Sequence, residues 1–247
     1  MATIDNDQIK NAVQDRYAEV ARSADGCGDT SCCSEESALY TVNQIQGLPS
    51  GAVTASAGCG NPSALASLRP GETVVDFGSG GGIDCFLAAR EVGESGTVIG
   101  VDMTPDMVDL AKKNARTMGL SNVTFHLADM EDTPIPDASV DVIMSNCVIC
   151  LTPDKDAVFR EALRILRPGG RLFVSDMLLA APLPPEEAAD TDNWVSCLAG
   201  AELTDTYLGR MHKAGFAGIE VLSANPLSSE GWRANIRSTD VKATKPA

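Results

Sequence analysis

The spacing of apolar and polar residues changes near residue 70. Beyond it, short apolar runs rich in Val, Ile and Phe alternate with longer segments in which apolar residues recur every three or four positions. The short runs predict buried strands, and the longer segments predict amphipathic helices. The predicted strands are TVVDF, TVIGVD, NVTFHLAD, VDVIMSNCVICL and RLFVSDML. Alternating strands and helices predict an α/β fold with a doubly wound, mostly parallel sheet.

Residue types that start or stop helices support two of these boundaries. Thr104 is the predicted N-cap of the helix after the second strand, Pro105 opens that helix and Gly119 follows its end. The helix DKDAVFREALRILR is predicted to stop at Pro168. Near the C-terminus, GIEVLSANP and WRANIRSTDVKAT predict two strands that finish the sheet in antiparallel orientation.

The segment before residue 70 has a different pattern. Ile9, Val13 and Tyr17 fall at helical spacing and predict one amphipathic helix. The stretch SADGCGDTSCCSEES is rich in Ser, Gly and Asp, and it predicts a flexible loop. This loop carries three cysteines, Cys27, Cys32 and Cys33.

The charge balance narrows the classes of partner. The chain has 19 basic and 34 acidic residues, a net charge of −15, and such a surface repels phosphate backbones and anionic lipid. We therefore expect neither nucleic acid nor a membrane as partner. No apolar run approaches the ~20 residues of a membrane span, and the polar N-terminus does not resemble a signal peptide. These features predict a cytoplasmic protein, with enough apolar residues (44%) to form a sizeable core.

The cytoplasmic expectation changes the meaning of the cysteines. Structural disulfides are rare in reducing compartments, so eight cysteines there favour metal binding or thiol chemistry. The chain has only two histidines, His126 and His212. Any ion site must therefore depend on sulfur.

Three successive strand ends carry residues that suit a nucleoside ligand. The loop DFGSGGG, residues 76–82, places glycines between a strand and a helix, where the backbone can approach a ligand closely. Asp102 ends the second strand and can accept hydrogen bonds from both ribose hydroxyls. Asp129 and Met130 end the third strand, where they could hold an adenine. An ordinary turn and a solvated Asp102 are the alternatives, but parallel strands direct all three ends to one crevice.

An acid before the glycines makes this loop similar to motif I of the class I methyltransferases that use S-adenosylmethionine. The stretch RPGGRLFVSD likewise resembles their entry to the fifth strand. The resemblance implies that S-adenosylmethionine is the cofactor. It also implies a cofactor site of eight residues: Asp76, Gly78, Gly80, Asp102, Met103, Asp129, Met130 and Asn146.

Cysteines mark the substrate side of the predicted sheet. Cys147 and Cys150 lie where the fourth strand ends, Cys197 lies in NWVSCLAGAEL and Cys59 lies in AGCGNP. Burial as a small apolar side chain explains Cys85, and it is an alternative for Cys150 and Cys197. The spacing of Cys147 and Cys150 is half of a structural zinc signature, but the other half is missing, so no zinc site is expected. A redox pair of the thioredoxin type would stand at a helix start instead.

A soft, three-coordinate ion with its own lone pair fits these thiols better. Trivalent arsenic binds thiolates as other soft centres do. Its lone pair can act as the nucleophile in methyl transfer, so that no general base is needed. This would explain why no histidine or lysine marks the predicted site.

Several motifs resemble the bacterial arsenite methyltransferases. SNCVICLTPDKDAVFREALRILRPGG is similar to the SNCVINLSPDK segment of that family, and GCGNP, GVDMTPDM, CLAGAEL and SCC have counterparts there as well. The resemblance implies that Cys59, Cys147 and Cys197 bind As(III) of arsenite or methylarsenite. It further implies that Cys32 or Cys33 forms a transient disulfide with Cys59. Cys27 lies in the same loop, so the choice of partner among these three cysteines stays open.

The disulfide has a chemical reason. Donation of the lone pair to a methyl group raises arsenic formally to the pentavalent state, and two thiols can return it to the trivalent state by forming a disulfide. Glutathione or thioredoxin, as thiol reductant, would reopen that disulfide by exchange. Thioredoxin is therefore a candidate protein partner.

Two positions depart from the family pattern. Cys150 replaces the usual asparagine, which makes it a candidate extra ligand or a space-filling residue. Ala57 replaces a larger leucine or tyrosine before Gly58-Cys59. A smaller residue there could loosen the cover of the cofactor site.

These observations divide the chain into three parts. Residues 1–69 are predicted to form an N-terminal helix and cysteine-rich loop that cover the active site. Residues 70–180 are the predicted S-adenosylmethionine-binding core, and residues 181–247 are a substrate-binding elaboration with the final strands.

Two alternative functions remain at this point. A methyltransferase of carbon or oxygen acceptors, such as a quinone or sterol, would share the core but would not need three cysteines. A non-catalytic thiol protein that binds metalloids would need the cysteines but not an intact glycine loop, Asp102 or Asp129.

Overall fold

The structure is a computed structural model that describes residues 5–26, 39–62 and 66–247. Its centre is a mixed sheet in the order β3-β2-β1-β4-β5-β8-β7, with a short β6 paired to β5. The strands are β1 (Thr73–Phe77), β2 (Thr97–Asp102), β3 (Val123–Leu127), β4 (Val140–Asn146), β5 (Leu166–Leu179), β6 (Glu202–Leu203), β7 (Ala217–Pro226) and β8 (Ile236–Thr244).

Helices cover both faces and the carboxyl edge of the sheet. They are α1 (Asn6–Gly26), α2 (Val42–Ile45), α3 (Ser50–Thr54), α4 (Ile83–Val92), α5 (Pro105–Met118), α6 (Lys155–Ile165), α7 (Pro185–Ala188), α8 (Thr191–Val195) and α9 (Thr204–Ala214). Two 3-10 turns, Ile149–Leu151 and Trp232–Asn235, complete the described elements.

The strand pairing confirms the predicted fold class. Strands β1 to β5 pair in parallel, and β8 pairs antiparallel with both β5 and β7. The predicted start and end of the helix after β2 are also confirmed, since α5 begins at Pro105 and is followed by Gly119 in the left-handed conformation. Parallel pairing brings the carboxyl ends of β1 to β5 to one edge of the sheet.

Three predicted boundaries were wrong. The fourth strand ends at Asn146, and the chain turns at Cys147 into the 3-10 turn Ile149–Leu151 instead of continuing as a strand. The helix α6 ends at Ile165, ahead of Pro168, which lies in the bulged start of a longer β5. The segment WRAN forms a 3-10 turn before β8 begins.

The core lies on both faces of the sheet because side chains alternate along the central strands. On β4, Ile143 packs in the cluster that contains Phe159 of α6 and Tyr207 of α9. Its neighbour Met144 packs in the opposite cluster with Phe86 of α4. Burial of both faces explains why the parallel strands are continuous apolar runs.

Helix α1 crosses the carboxyl edge of the sheet and packs against α3, α5 and α8. Lys10 of α1 forms ion pairs with Asp129 (2.6 Å) and Glu131 (2.8 Å), and Gln14 Nε2 donates a hydrogen bond to the Met103 carbonyl oxygen (3.0 Å). These contacts attach α1 to the segments that follow β2 and β3. None of the helices in the described ranges is long and apolar enough to span a lipid bilayer.

Candidate active site

The loop after β1 turns in the left-handed region that favours glycine. Gly78, Gly80 and Gly82 have φ of 72°, 49° and 94°. The backbone N–H groups of Gly78 and Ser79 donate hydrogen bonds to the Val101 carbonyl oxygen at 2.8 and 3.0 Å. A Cβ atom at Gly78 would overlap the Val148 side chain, so this position also needs glycine for space. The loop therefore lies tightly against β2 and leads directly into α4.

Asp102 joins the glycine loop to the start of α5. Its carboxylate accepts hydrogen bonds from the N–H of Gly80 (2.9 Å) and the N–H of Thr104 (2.8 Å), and burial raises its pKa. Each carboxylate oxygen retains a lone pair for a further donor. Beside it, the buried Ser79 Oγ has no hydrogen-bond partner among the described residues. This combination suits a ligand with several hydroxyl groups, such as a ribose.

One cleft at the carboxyl edge contains all the cofactor residues that the sequence predicts. The cleft is lined by Asp76, Gly78, Gly80, Asp102, Met103, Asp129, Met130 and Asn146. Lys10, Val13 and Tyr17 of α1 form part of its wall. The sequence predicted the helix, but it gave no sign that Lys10 would line the cleft.

Asp129 and Asp76, two further residues of this cleft, form hydrogen bonds or ion pairs within the chain. Asp129 pairs with Lys10 and accepts a hydrogen bond from the N–H of Glu131 (3.0 Å). Asp76 is buried and accepts a hydrogen bond from the Cys85 thiol (3.3 Å), and burial together with Asp84 raises its pKa well above its usual value. Asp76 thus stands below the glycine loop as a buried polar support.

Asn146 lines the cleft, but its own hydrogen bonds hold the loop that carries Cys59. Its Oδ1 accepts from the N–H groups of Cys59 (3.0 Å) and Gly60 (3.2 Å), and its Nδ2 donates to the Gly60 carbonyl oxygen (2.8 Å). A Cβ atom at Gly58 would overlap the Asn146 side chain, and one at Gly60 would overlap Ser175. The two glycines of GCGNP therefore permit the close approach of Cys59 to β4.

Three cysteine side chains meet beyond the end of β4. The Sγ atoms of Cys147, Cys150 and Cys197 all lie within 4.8 Å of one another, and all three residues are buried. In the described part of the chain they form the one group of three sulfur, imidazole or carboxylate ligands that could hold an ion. The half-buried Cys59 adjoins this group, with its thiol in hydrogen-bond contact with Cys147.

The predicted arsenic ligands Cys59, Cys147 and Cys197 are thus neighbours. Cys150, which the sequence offered only as a candidate extra ligand, lies in the same group of sulfurs as Cys147 and Cys197. The predicted disulfide partners Cys32 and Cys33, with Cys27, lie outside the described residues. The remaining cysteine, Cys85, is buried in α4. The described cysteines are all free thiols.

Hydrogen bonding favours the ionised form of Cys197 over those of its neighbours. The thiols of Cys147 and Cys150 and the Tyr17 hydroxyl donate to the Cys197 sulfur and lower its pKa well below the usual value, against the effect of burial. Hydrogen bonds with neighbouring thiols, and burial, raise the pKa of Cys147, and burial above all raises the pKa of Cys150. As a thiol, Cys197 would instead donate to the Cys147 carbonyl oxygen (3.2 Å). Three donors outweigh this single acceptor, so we assign the thiolate to Cys197.

The backbone is strained at two of the three cysteines. Cys147 has φ of 57° and Cys197 has φ of 64°, a left-handed conformation that is unfavourable for residues with a Cβ atom. The N–H of Cys147 donates to the Ser175 carbonyl oxygen at 2.7 Å, which fixes this turn against β5. Both turns direct their side chains into the cluster.

Polar residues that sequence reasoning missed support the turn that carries Cys150. Asp176 Oδ2 accepts hydrogen bonds from the Cys150 N–H (2.9 Å) and the Tyr207 hydroxyl (3.1 Å), and burial raises the pKa of Asp176 to about 6. Lys155 Nζ donates to the Cys150 carbonyl oxygen (3.3 Å) and lies 5.8 Å from the centre of the Trp194 ring. An acid within the apolar run LFVSDMLL is the signal that could have identified Asp176.

A second cavity joins the cysteines to the cofactor cleft. It is lined in part by Cys59, Cys147 and Cys197, and it shares Tyr17, Ala57, Gly58 and Cys147 with the cleft. Cys147 therefore faces both spaces. The described residues that line the second cavity include no histidine, lysine or carboxylate.

Comparison with known proteins agrees with this geometry. Residues 68–216 match a family model described as a methyltransferase domain. An arsenite methyltransferase from Halobacterium salinarum is 38% identical over an alignment that covers 100% of this chain and 69% of the relative. One from Aquipseudomonas alcaligenes is 35% identical, with 89% of this chain and 65% of the relative covered. The chain thus spans about two thirds of the length of these curated relatives.

A solved structure of an arsenic methyltransferase is also similar to this chain. The arsenic(III) S-adenosylmethionine methyltransferase from Chlamydomonas reinhardtii superimposes with a TM-score of 0.67 and 34% identity, over 77% of this chain and 67% of that one. Phosphoethanolamine N-methyltransferase 2 from Haemonchus contortus, at 20% identity and a TM-score of 0.64, shares the fold. The protein therefore belongs to the arsenite methyltransferase family and has the fold of the S-adenosylmethionine-dependent methyltransferases.

Proposed function

We propose that this protein transfers methyl groups from S-adenosylmethionine to trivalent arsenic held by cysteine thiolates. The observation that supports this most directly is the position of Cys147, which lines both the cofactor cleft and the cavity that contains Cys59 and Cys197. Methyl transfer needs donor and acceptor to be held next to each other with water excluded.

The cleft residues fit the cofactor. Asp102 would accept hydrogen bonds from the ribose, the loop at Gly78 and Gly80 would pass close to the methionine part, and Asp129 and Met130 would flank the adenine. S-adenosylmethionine, when bound, supplies an electrophilic methyl group. The chain's own contribution is to bind and orient both reactants and to keep water away through the packing of α1.

We assign substrate binding to Cys59, Cys147 and Cys197, with Cys197 the most reactive sulfur because its neighbours stabilise its thiolate. Each bond to arsenic forms as a sulfur replaces a hydroxide of arsenite. At a thiol the hydroxide leaves as water with the thiol proton, and at the Cys197 thiolate it leaves as hydroxide, so the oxidation state of arsenic does not change. The arsenic atom then retains one lone pair for the methyl group.

The lining of the second cavity favours arsenic over a carbon or oxygen acceptor. An alcohol acceptor commonly loses a proton to a positioned base, whereas a lone pair on arsenic carries no proton. The described lining of the cysteine cavity offers thiols, Tyr17, Arg16 and Ser196 but no histidine, lysine or carboxylate. Asp176 and Lys155 contact the backbone of Cys150 outside this cavity. The intact cofactor cleft argues against a protein that only sequesters the metalloid.

Reduction follows each transfer in this proposal. When arsenic donates its lone pair to the methyl group, it becomes formally pentavalent. A second thiol then attacks the arsenic-bound sulfur of Cys59. The S–S bond forms as the As–S bond breaks, the electron pair of the As–S bond returns to arsenic, which becomes trivalent again, and the proton of the attacking thiol is released to water. Cys59 is suited to this step because it lies at the edge of the cluster, and Cys32 or Cys33 would be its partner. A thiol reductant, glutathione or thioredoxin, would reopen the disulfide by exchange.

One reaction tests the proposal. Purified protein is incubated with arsenite, S-adenosylmethionine and a thiol reductant, and arsenic species are separated by chromatography with mass detection. We expect methylated arsenicals together with S-adenosylhomocysteine, and the product distribution gives the number of methyl groups added. Cys147→Ser and Cys197→Ser should each abolish methylation, with Cys85→Ser as a buried-cysteine control. Parent rates in both variants would contradict the proposal.

A further inference from the structure

We propose that Cys150 is a third sulfur ligand of inorganic arsenite, so that Cys147, Cys150 and Cys197 bind it together without Cys59. This inference rests on the proposed function, because the ion it concerns is the proposed methyl acceptor. It changes the assignment of Cys59, which would bind arsenic only at the reduction step and not in the complex with the first substrate.

The distances between the three sulfurs permit simultaneous binding. Because each Sγ lies within 4.8 Å of the other two, a point exists no farther than 4.8/√3, or about 2.8 Å, from all three. Bonds between thiolate sulfur and a metal such as zinc are ~2.3 Å long. A small inward movement of three thiols therefore brings them to bonding distance of a single ion.

The surroundings of Cys150 fix its position. The Cys150 N–H donates to Asp176, and its carbonyl oxygen accepts from Lys155. Gly200 packs so closely on this carbonyl that a Cβ atom there would overlap it. Cys59 is half-buried and lies outside the three-sulfur group. Cys150 is thus the better placed of the two for a permanent ligand.

Cys150 also lies on the enclosed side of the cluster. Its side chain is fully buried, whereas Cys147 and Cys197 line the cavity next to the cofactor cleft. An ion that enters from this cavity meets Cys147 and Cys197 first and Cys150 behind them. The third bond would then be shielded from water.

The number of hydroxides on the substrate limits how many cysteine sulfurs can bind the arsenic. Arsenite has three hydroxides. It reacts with two thiols and the Cys197 thiolate to give one tris-thiolate, two water molecules and one hydroxide, with no change of oxidation state. Methylarsenite has only two hydroxides and can bind only two thiols. Cys150 should therefore strengthen binding of arsenite and have little effect on methylarsenite, which Cys147 and Cys197 suffice to hold.

The test counts the sulfur atoms bound to arsenic in a variant that keeps only the buried cysteines. A full-length variant with Cys27, Cys32, Cys33 and Cys59 all replaced by Ser is loaded with arsenite, and X-ray absorption gives the number of sulfurs bound to arsenic. We expect three sulfurs there. Adding Cys150→Ser should leave two sulfurs and one oxygen, and should weaken arsenite binding at least tenfold while methylarsenite binding changes less than threefold. Adding Cys85→Ser instead should change neither.

Cys150→Asn serves as the second variant if the serine variant fails to fold, which thermal denaturation shows directly. Three sulfurs or unchanged arsenite affinity after loss of Cys150 would overturn the inference, and so would fewer than three sulfurs in the parent of this series. Failure of the proposed function looks different, because arsenic would then be held by three sulfurs in the full chain but never methylated.

Discussion

The side-chain oxygen of Asn146 accepts a hydrogen bond from the backbone N–H of Cys59 at 3.0 Å. Asn146 is the last residue of β4, and Cys147 follows it directly. The Asn146 amide on the central strand, together with the Ser238 hydroxyl that donates to the Cys59 carbonyl oxygen at 2.6 Å, places Cys59 relative to the buried cysteines. The sequence assigned Asn146 to the cofactor, but its hydrogen bonds indicate a role in placing the Cys59 loop.

We expect Asn146→Ala to lower the methylation rate at least tenfold, because the Cys59 loop loses three hydrogen bonds and small misplacements of a reacting group are costly. Calorimetry should show that affinity for S-adenosylmethionine changes less than threefold. Gly58→Ala should have a similar effect, because its Cβ atom would push against the Asn146 side chain. An equal loss of cofactor affinity would instead assign Asn146 to cofactor binding.

Asp102→Asn should reduce affinity for S-adenosylmethionine at least tenfold. Asp102 accepts from the backbone N–H groups of Gly80 and Thr104 through different oxygens, so an asparagine would direct its NH2 group at one of these donors. Either the glycine loop or the start of α5 would then lose its hydrogen bond to the side chain at position 102. Titration calorimetry measures the effect, and Asp109→Asn on the exposed face of α5 is the control. Unchanged affinity would show that the ribose binds elsewhere.

Tyr17→Phe should raise the pKa of Cys197, since it removes a hydroxyl that lies 3.9 Å from the sulfur and supports the thiolate. Loss of one donor to the charged form should move the titration upward by about one unit or less. The rate of alkylation of Cys197, measured by peptide mass spectrometry across pH, would then rise at higher pH than in the parent. A shift to lower pH would contradict the assignment of the thiolate to Cys197.

Asp176 should make the protein less stable as pH rises through the acid range. Its folded-state pKa is about 6, raised by burial from a usual 3.8, so the folded state holds a proton that the unfolded state has lost between these values. Stability that is present below pH 3.8 is therefore lost progressively up to pH 6. A shift of this size corresponds to about 3 kcal/mol in the free energy of unfolding.

Urea denaturation of the parent and of Asp176→Asn at a series of pH values measures how the free energy of unfolding depends on pH. Between the acid and the neutral end of the series, the free energy of unfolding of the parent should fall by about 3 kcal/mol relative to that of the variant. Asparagine carries no titratable group, so it provides the matched baseline. A difference that stays constant with pH would show that Asp176 remains ionised when buried.

The fold and the cofactor cleft were predictable because their signals are local. The glycine loop, Asp102 and the residues after β3 each stand at the end of a strand, and parallel pairing is enough to bring such ends together. The position of Tyr17 beside Cys197 was not predictable, since 180 residues separate them in the chain. The same holds for Cys59 and Asn146, which are 87 residues apart.

The turn at Cys147 was missed for a different reason. The run VDVIMSNCVICL is apolar apart from Asp141, Ser145 and Asn146, and such a run is typical of a buried strand. A cysteine with positive φ has no sequence signal comparable to glycine or asparagine. Only the packing of the 3-10 turn against Asp176 and Lys155 shows that the strand ends at Asn146.

The left-handed backbone at Cys147 and Cys197 has a consequence for the evolution of this protein. Each such residue costs about 1 to 2 kcal/mol relative to a glycine at the same position. Replacement of either cysteine by glycine would therefore relieve strain, even as it removes a proposed ligand. Relief of backbone strain at these two positions therefore comes only with loss of the thiols, and a screen that requires arsenic chemistry would retain both cysteines.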